Sequence, residues 1–225
     1  MLPAMRVLAV PVKSLERAKS RLSPILSPVE RAALSLVMFE DVLDACLAQA
    51  EWETLVISHD EAVLEVGVRR GARPIVEKGR SLLDAVRQLE GDTPRGSSPS
   101  NQLAVVLADL PLITDQALRT ALAAGPRKGV VAAPAASDGG TNLLLRRPPS
   151  IIAPRFGRAS FAKHRWAARR ARVPFEEVSL PELAFDLDRP DDLNRVVADG
   201  RATRTRSACL EMGVPERLGS RAFNS

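Results

Sequence analysis

The stretch LAVVLADLP, residues 103–111, decides the fold class of this 225-residue chain. Six apolar residues in a row, Leu103 to Ala108, are typical of a strand buried on both faces. Similar runs alternate with helical stretches; they lie at residues 7–10, 54–57, 74–76, 129–133, 142–145 and 174–178. This alternation predicts an α/β fold with a single doubly wound, mostly parallel sheet.

Helix starts are marked by capping residues. In SPVE, residues 27–30, Ser27 is the expected N-cap, Pro follows at the first helical position, and Glu30 completes a capping box. We predict further helices near residues 61–70, from 81, after Thr114, over 158–171 and, as the last one, from 190. Residues 91–102 (GDTPRGSSPSNQ) are expected to form a mobile surface loop.

The composition is that of a globular protein, with 45% hydrophobic and 26% charged residues. Residues 1–200 are expected to form one domain, and residues 201–225, which show no clear pattern, a partly ordered tail. Two cysteines and two histidines argue against a disulfide framework and a Cys/His zinc site. The start does not resemble a signal peptide, and no apolar run approaches the ~20 residues of a membrane helix. We therefore expect a cytoplasmic protein without a membrane partner.

The chain is basic, with 32 Lys and Arg against 27 Asp and Glu and a pI near 9.8. Nine of these cations, and no acidic residue, lie within residues 146–172. Helical spacing places most of them on a solvated face, so the functional part is the preceding turn, residues 156–160, where N–H groups can receive an anion. Only 4% of the residues are aromatic and Tyr is absent, so nucleic acid is not the expected partner.

Ligands of doubly wound sheets bind where strands end. After the first strand, Lys13, Lys19 and Arg21 could hold an anion, and a solvated basic turn is an equally weighted alternative. The loop lacks the dinucleotide and Walker spacings. After the second strand comes His59, for which a structural role is favoured, and Asp60, which could cap the next helix.

Acidic residues follow two further apolar segments. Asp109 follows the strongest strand, where a buried carboxylate needs a metal ion or another partner. In FDLD, residues 185–188, alternation places Asp186 and Asp188 on one face, and with Asp109 they would form an oxygen-ligand site suited to Mg²⁺. Alternatively, Asp188 caps the following helix. Helix-start roles are favoured for three other acidic residues, Asp84, Asp191 and Asp192.

Five pieces of sequence in a fixed order carry a family resemblance: VPVKSLERAKSRL (10–22), ADLPL (108–112), DGGTNLLL (138–145), FGRASFAKH (156–164) and FDLDRPDDL (185–193). Together they resemble the 2-phospho-L-lactate or phosphoenolpyruvate guanylyltransferases of coenzyme F-420 biosynthesis. The resemblance covers about residues 6–197. It implies a Rossmann-like fold of the nucleotide-diphospho-sugar-transferase type. Asp84 stands where the family usually has Asn.

The resemblance also implies a reaction. Such enzymes join GTP to a small phosphorylated acid (2-phospho-L-lactate, phosphoenolpyruvate or 3-phospho-D-glycerate) and release pyrophosphate with Mg²⁺. It implies that Thr141, Gly157 and Ser160 hold the acid and that Asp109 and Asp186 bind metal. Lys13, Lys19 and Arg21 would hold the triphosphate. A homodimer is a possible assembly. The alternatives are another nucleotidyltransferase or glycosyltransferase of this fold and, less favoured, a nucleic-acid-binding protein.

Overall fold

The computed structural model describes residues 5–79, 81–92 and 101–222. Its strands are β1 (Arg6–Pro11), β2 (Glu53–Ser58), β3 (Arg73–Val76), β4 (Gln102–Val106), β5 (Gly129–Pro134), β6 (Thr141–Arg147) and β7 (Phe175–Glu177). They form one sheet in the order β3-β2-β1-β4-β6-β5-β7. Strands β1 to β4 are mutually parallel, β7 is parallel to β5, and β6 runs antiparallel to both of its neighbours. The predicted mostly parallel sheet is confirmed.

Helices cover both faces of the sheet. They are α1 (Pro28–Leu47), α2 (Glu61–Arg69), α3 (Leu82–Asp92), α4 (Asp115–Ala123), α5 (Ser160–Arg170), α6 (Pro181–Ala184), α7 (Pro190–Ala198), α8 (Arg204–Glu211) and α9 (Val214–Ala222). Leu8 and Val10 of β1 pack toward α1 and α2, whereas Val7 and Ala9 pack toward α3. This burial on two faces explains the uninterrupted apolar runs. No helix in the described ranges is long and apolar enough to cross a membrane.

Local capping follows the sequence pattern. Ser27 Oγ accepts from Glu30 N at 3.3 Å, and Glu30 accepts in return from Ser27 N at 2.8 Å, which confirms the capping box. Thr114 Oγ1 caps α4 by accepting from Ala117 N at 3.1 Å. The fifth helix starts later than predicted because the residue before it, Ala159, adopts a left-handed backbone with φ of 52°.

The C-terminal segment is helical, although its sequence shows no clear pattern. Helix α8 packs on α1 and helix α9 packs on α7 and α8, and the fully buried Cys209 and Val214 belong to one apolar cluster with Leu34 and Met38. The prediction that the helix beginning at Pro190 is the last one is therefore wrong, because α8 and α9 follow it. Most of the predicted mobile loop, residues 93–100, lies outside the described residues.

The antiparallel direction of β6 determines which residues meet at the sheet edge. Leu107, just after β4, donates its N–H to the carbonyl oxygen of Asn142 at 2.9 Å. The amino end of β6, at Thr141, therefore lies beside the carboxyl end of β4, which leads to Asp109. A single edge thus gathers the loops that sequence analysis selected one by one.

Candidate active site

A cleft of about 720 Å³ opens at the carboxyl ends of β1 to β4. The loop after β1 and the start of α3 line it, together with Asp109 and Asp188. The cleft is centred on β1, which has β2 on one side and β4 on the other. The order in which the strands are added to the sheet reverses at β1, and doubly wound sheets usually bind their ligands at such a switch point. Its volume is in the range of small-molecule sites.

Lys19 is the central cation of the site. Its Nζ lies 2.8 Å from Asp109 Oδ2 and 3.8 Å from Asp188 Oδ1, and only 9% of its side chain is exposed. The residue stands between two short 3-10 turns, Leu15–Arg17 and Ser20–Leu22, with a left-handed backbone at φ of 49°. That backbone costs a non-glycine residue about 1–2 kcal/mol. The loop thus holds a strained conformation that delivers an ammonium group to two carboxylates.

Asp109 and Asp186 lie close enough to interact electrostatically. Burial raises the pKa of Asp186, and the negative charge of Asp109 raises it further, while the Ser137 hydroxyl and Lys19 lower it. Ser137 Oγ donates to the carboxylate of Asp186 at 3.0 Å. Asp109 Oδ1, the oxygen that is not paired with Lys19, is buried without a hydrogen-bond partner. The pair therefore has more negative charge than its neighbours neutralise.

Asp188, like Asp186, interacts with Lys19. It also forms an ion pair with Arg21, whose side chain is 65% exposed. The backbone N–H groups of Asp188 and Arg189 donate to Asp192 Oδ2 at 2.8 and 2.6 Å. Asp192, and not Asp188, therefore caps the start of α7 by accepting from these free N–H groups. In the described part of the chain no group of three His, Cys, Asp or Glu side chains is already arranged around a metal position.

The remaining predicted residue of the first loop, Lys13, is exposed and lines the cleft. The loop is anchored by Asp60, which accepts from Leu15 N at 3.1 Å through one oxygen and from Ala62 N at 3.2 Å through the other. Asp60 thus caps α2, as predicted, and also fixes the loop.

Glu77, the residue after β3, was not among the predicted site residues. It lines the cleft with a side chain that is 7% exposed, and its Oε2 lies 3.5 Å from Nδ1 of His59. An acidic residue after a short strand that is itself largely exposed gives little signal of burial, so only the tertiary structure reveals this carboxylate.

Thr141 and Ser160 form a buried hydroxyl pair beyond the aspartates. Ser160 Oγ lies 3.0 Å from Thr141 Oγ1, and both residues are at most 2% exposed. His164, one turn along α5, places Nδ1 3.1 Å from Thr141 Oγ1, and its Nε2 accepts from Arg155 N at 2.8 Å. A backbone N–H can only donate, so the imidazole proton is on Nδ1 and points to Thr141.

This hydrogen bonding leaves one hydroxyl proton available. The Nδ1–H of His164 donates to Thr141 Oγ1, and one of the two hydroxyl protons of Thr141 and Ser160 forms the hydrogen bond between them. The other is free to donate to a ligand. Burial, followed by nearby cations, lowers the pKa of His164 to about 4, so the ring stays neutral at pH 7. His164 had no predicted role at the site.

Gly157 lies in the exposed turn before Ser160. Its φ of 112° is in the region that L side chains rarely adopt, and Ser160 N donates to its carbonyl oxygen at 3.0 Å. The next turn is linked to the hairpin, because Phe161 N donates to Gly139 O at 3.2 Å. The three residues implied to hold the acid, Thr141, Gly157 and Ser160, are therefore brought together.

Two other features of the sequence have structural roles. Ser81 Oγ donates to Asp84 Oδ2 at 2.7 Å and accepts from Asp84 N at 3.2 Å, so Asp84 stabilises the start of α3 and does not line the cleft. In the basic stretch, Arg165 pairs with Glu177 and stacks on Phe161. The charge of Arg165, one of the cations of this stretch, is therefore neutralised within the protein and needs no external ligand.

Comparison with known proteins assigns the family. The family model described as "Guanylyl transferase CofC like" matches residues 5–218, which includes most of the C-terminal helices. The chain belongs to this CofC-like family. A phosphoenolpyruvate guanylyltransferase of Sphaerobacter thermophilus is 39% identical over 191 residues, which is 84% of this chain and 91% of that protein. A 2-phospho-L-lactate guanylyltransferase of Methanothermobacter thermautotrophicus is 35% identical over 197 residues, covering 88% and 86%.

Solved structures confirm the fold of this CofC-like chain. A protein described as a nucleotide-diphospho-sugar transferase, from Desulfovibrio desulfuricans G20, superposes with a TM-score of 0.76 at 18% identity and covers 97% of this chain and 98% of its own. A 4-diphosphocytidyl-2C-methyl-D-erythritol synthase gives 0.57 at 16% identity, covering 87% and 98%. At these identities the likeness concerns the fold alone, and it is the fold that the resemblance implied.

Proposed function

We propose that this CofC-like protein transfers a guanylyl group from GTP to a small phosphorylated carboxylic acid, as a step of coenzyme F-420 biosynthesis. The relatives named above support this reaction. The observation that carries it is the position of Lys19, which contacts Asp109 and Asp188 at the cleft. This charged group lies along the same sheet edge as the hydroxyl pair Thr141–Ser160.

The chemistry requires little proton transfer. A phosphate oxygen of the acid attacks the α-phosphorus of GTP, the bond to the oxygen that bridges to the β-phosphorus breaks, and pyrophosphate leaves. A phosphomonoester with a second pKa of about 6 is already mostly dianionic at pH 7, so a general base is not needed. Lys13, Lys19 and Arg21 would neutralise the triphosphate and hold it in line.

The residues present also fit the Mg²⁺ that the family implies. Asp109 Oδ1 is buried without a partner, and burial, together with the charge of Asp109, raises the pKa of Asp186, so a divalent cation would relieve both. Asp109, Asp186 and Asp188 would hold the ion. Bound there, Mg²⁺ would supply charge neutralisation at the phosphate oxygens.

The acid substrate would bind at the hydroxyl pair. The spare hydroxyl proton of Thr141–Ser160 and the backbone at Gly157 can donate to a carboxylate or phosphate. The three acids named by the resemblance share a carboxylate and a phosphate. 2-Phospho-L-lactate has a methyl group, phosphoenolpyruvate a double bond, and 3-phospho-D-glycerate carries its phosphate one carbon farther from the carboxylate. Small contacts near the hydroxyl pair would therefore select among them.

The test is pyrophosphate release from GTP with 2-phospho-L-lactate, phosphoenolpyruvate or 3-phospho-D-glycerate, with Mg²⁺ or with EDTA. We expect release with at least one acid, and its loss in EDTA. Lys19→Met should lower kcat by about 10²-fold or more, the usual effect of removing one charge-stabilising group. Lys163→Met, a matched loss of an exposed cation on α5, should change it little. Turnover of other nucleotides with sugar phosphates, but not of GTP with these acids, would contradict the proposal.

A further inference from the structure

The carboxylate of Glu77 is buried without a strong partner. Its side chain is 7% exposed, yet His59 Nδ1, at 3.5 Å, is the one polar contact of this carboxylate among the described residues. The 3.5 Å distance lies beyond the usual range of a hydrogen bond, so this contact is weak. A carboxylate that is largely shielded from water and has one weak protein partner is suited to accept hydrogen bonds from a ligand bound in the cleft.

The cleft that Glu77 lines also has apolar walls. They include Leu82 and Ala85 from the first turns of α3 and Pro11 at the end of β1. Leu82 and Ala85 belong to the apolar cluster on that face of the sheet, so this apolar surface is fixed by packing. The cleft thus offers apolar contact for an aromatic base, together with a carboxylate at its rim.

Among the common nucleobases, guanine alone presents two adjacent donors, N1–H and N2–H, on its Watson–Crick edge. They match the two oxygens of a carboxylate in a bidentate arrangement. Adenine would turn the lone pair of its N1 toward the carboxylate, and cytosine would do the same with N3. Uracil has a single N–H between two carbonyl oxygens. The chemistry of Glu77 therefore distinguishes the purines.

We infer that Glu77, with His59 beside it, forms the subsite that reads the guanine base of the nucleotide. This inference rests on the proposed function, because it names the base selectivity of that cleft. It also separates base recognition from Asp84, which stabilises its own helix and does not line the cleft.

The test compares GTP with ITP, which differs only by lacking the N2 amino group. A hydrogen bond to a charged group contributes about 1.5–3 kcal/mol, so wild type should bind GTP roughly 10- to 150-fold more tightly than ITP. Calorimetric titration of each nucleotide without the acid measures this ratio independently of turnover. A wild-type ratio within a factor of three of unity would overturn the inference.

Glu77→Gln should reduce the GTP-to-ITP ratio to within about threefold, because its amide cannot accept both donors. The KM for GTP should rise while the KM for the acid stays the same. Glu65→Gln, an equal charge loss on the exposed face of α2, should leave the ratio unchanged. A Glu77→Gln protein that melts as a folded domain and keeps the wild-type ratio would overturn the inference. Absence of pyrophosphate release in wild type, with selective GTP binding, would instead count against the proposed reaction alone.

Discussion

Asp109→Asn should separate folding from catalysis more sharply than other single changes at this site. The amide keeps the shape of the carboxylate, which contacts Lys19 at 2.8 Å, and removes its charge. Two effects on stability then oppose each other. The attraction to Lys19 weakens, and the repulsion that helps to raise the pKa of Asp186 disappears.

The distances give the size of the stability change. At an effective dielectric constant of about 20, unit charges at 2.8 Å attract by roughly 6 kcal/mol and at 3.8 Å by roughly 4 kcal/mol, before desolvation is subtracted. Lys19 keeps the weaker attraction, to Asp188, and Asp186 is relieved. We therefore expect a net loss of only about 1 kcal/mol, the size typical of a partly solvated pair.

The effect on activity should be much larger. Asp109 is the proposed metal ligand and positions Lys19, so its charge acts on the phosphates that react. We expect kcat to fall by about 10³-fold or more, or about 4 kcal/mol of transition-state stabilisation. Pyrophosphate release measures this loss, and urea denaturation measures stability. Asp115→Asn, an exposed residue in the first turn of α4, is the control. Turnover by Asp109→Asn within tenfold of wild type would refute the assigned role.

Three further changes test other parts of the structure. Because the folded state raises the pKa of Asp186, ionisation of this carboxyl group destabilises the fold. Asp186→Asn should therefore raise the free energy of unfolding at pH 7, and this gain should vanish at a pH below the ordinary carboxyl pKa, where Asp186 is protonated in both states. The same change should abolish turnover. The free energy of unfolding of the wild type should fall by about 3 kcal/mol between about pH 6.5 and about pH 4, because His164 is protonated readily only in the unfolded chain. In denaturation curves recorded across this pH range, His164→Gln should weaken the dependence of stability on pH. An unchanged dependence would exclude the imidazole as its origin. Val214→Asp, which buries an unpaired charge at the start of α9, should lower the free energy of unfolding by at least about 3 kcal/mol in guanidinium denaturation if the C-terminal helices are integral to the fold; a cost below about 1 kcal/mol would show that they are dispensable.

Much of the fold was predictable because its signals are local. The runs at β1, β2 and β4 are apolar since both faces of each strand are covered, and Ser27, Thr114 and Asp60 cap helices through contacts within three residues. Helices α8 and α9 escaped prediction because they bury few side chains each, among them Cys209 and Val214, and these meet partners distant in sequence. A short segment with few apolar residues has no periodicity to read.

For the candidate site, the sequence by itself determined which residue types stand at which strand ends, and the assigned roles stay predictions. Only the tertiary structure decided how these residues meet. The antiparallel direction of β6 brings Thr141 beside the end of β4, and the fold of the first loop places Lys19 between Asp109 and Asp188. It also buried Glu77 and His164, which no local pattern distinguishes from surface residues. The physical reason is that strand composition depends on burial along one element, whereas charge pairing and desolvation depend on distances between elements far apart in the chain.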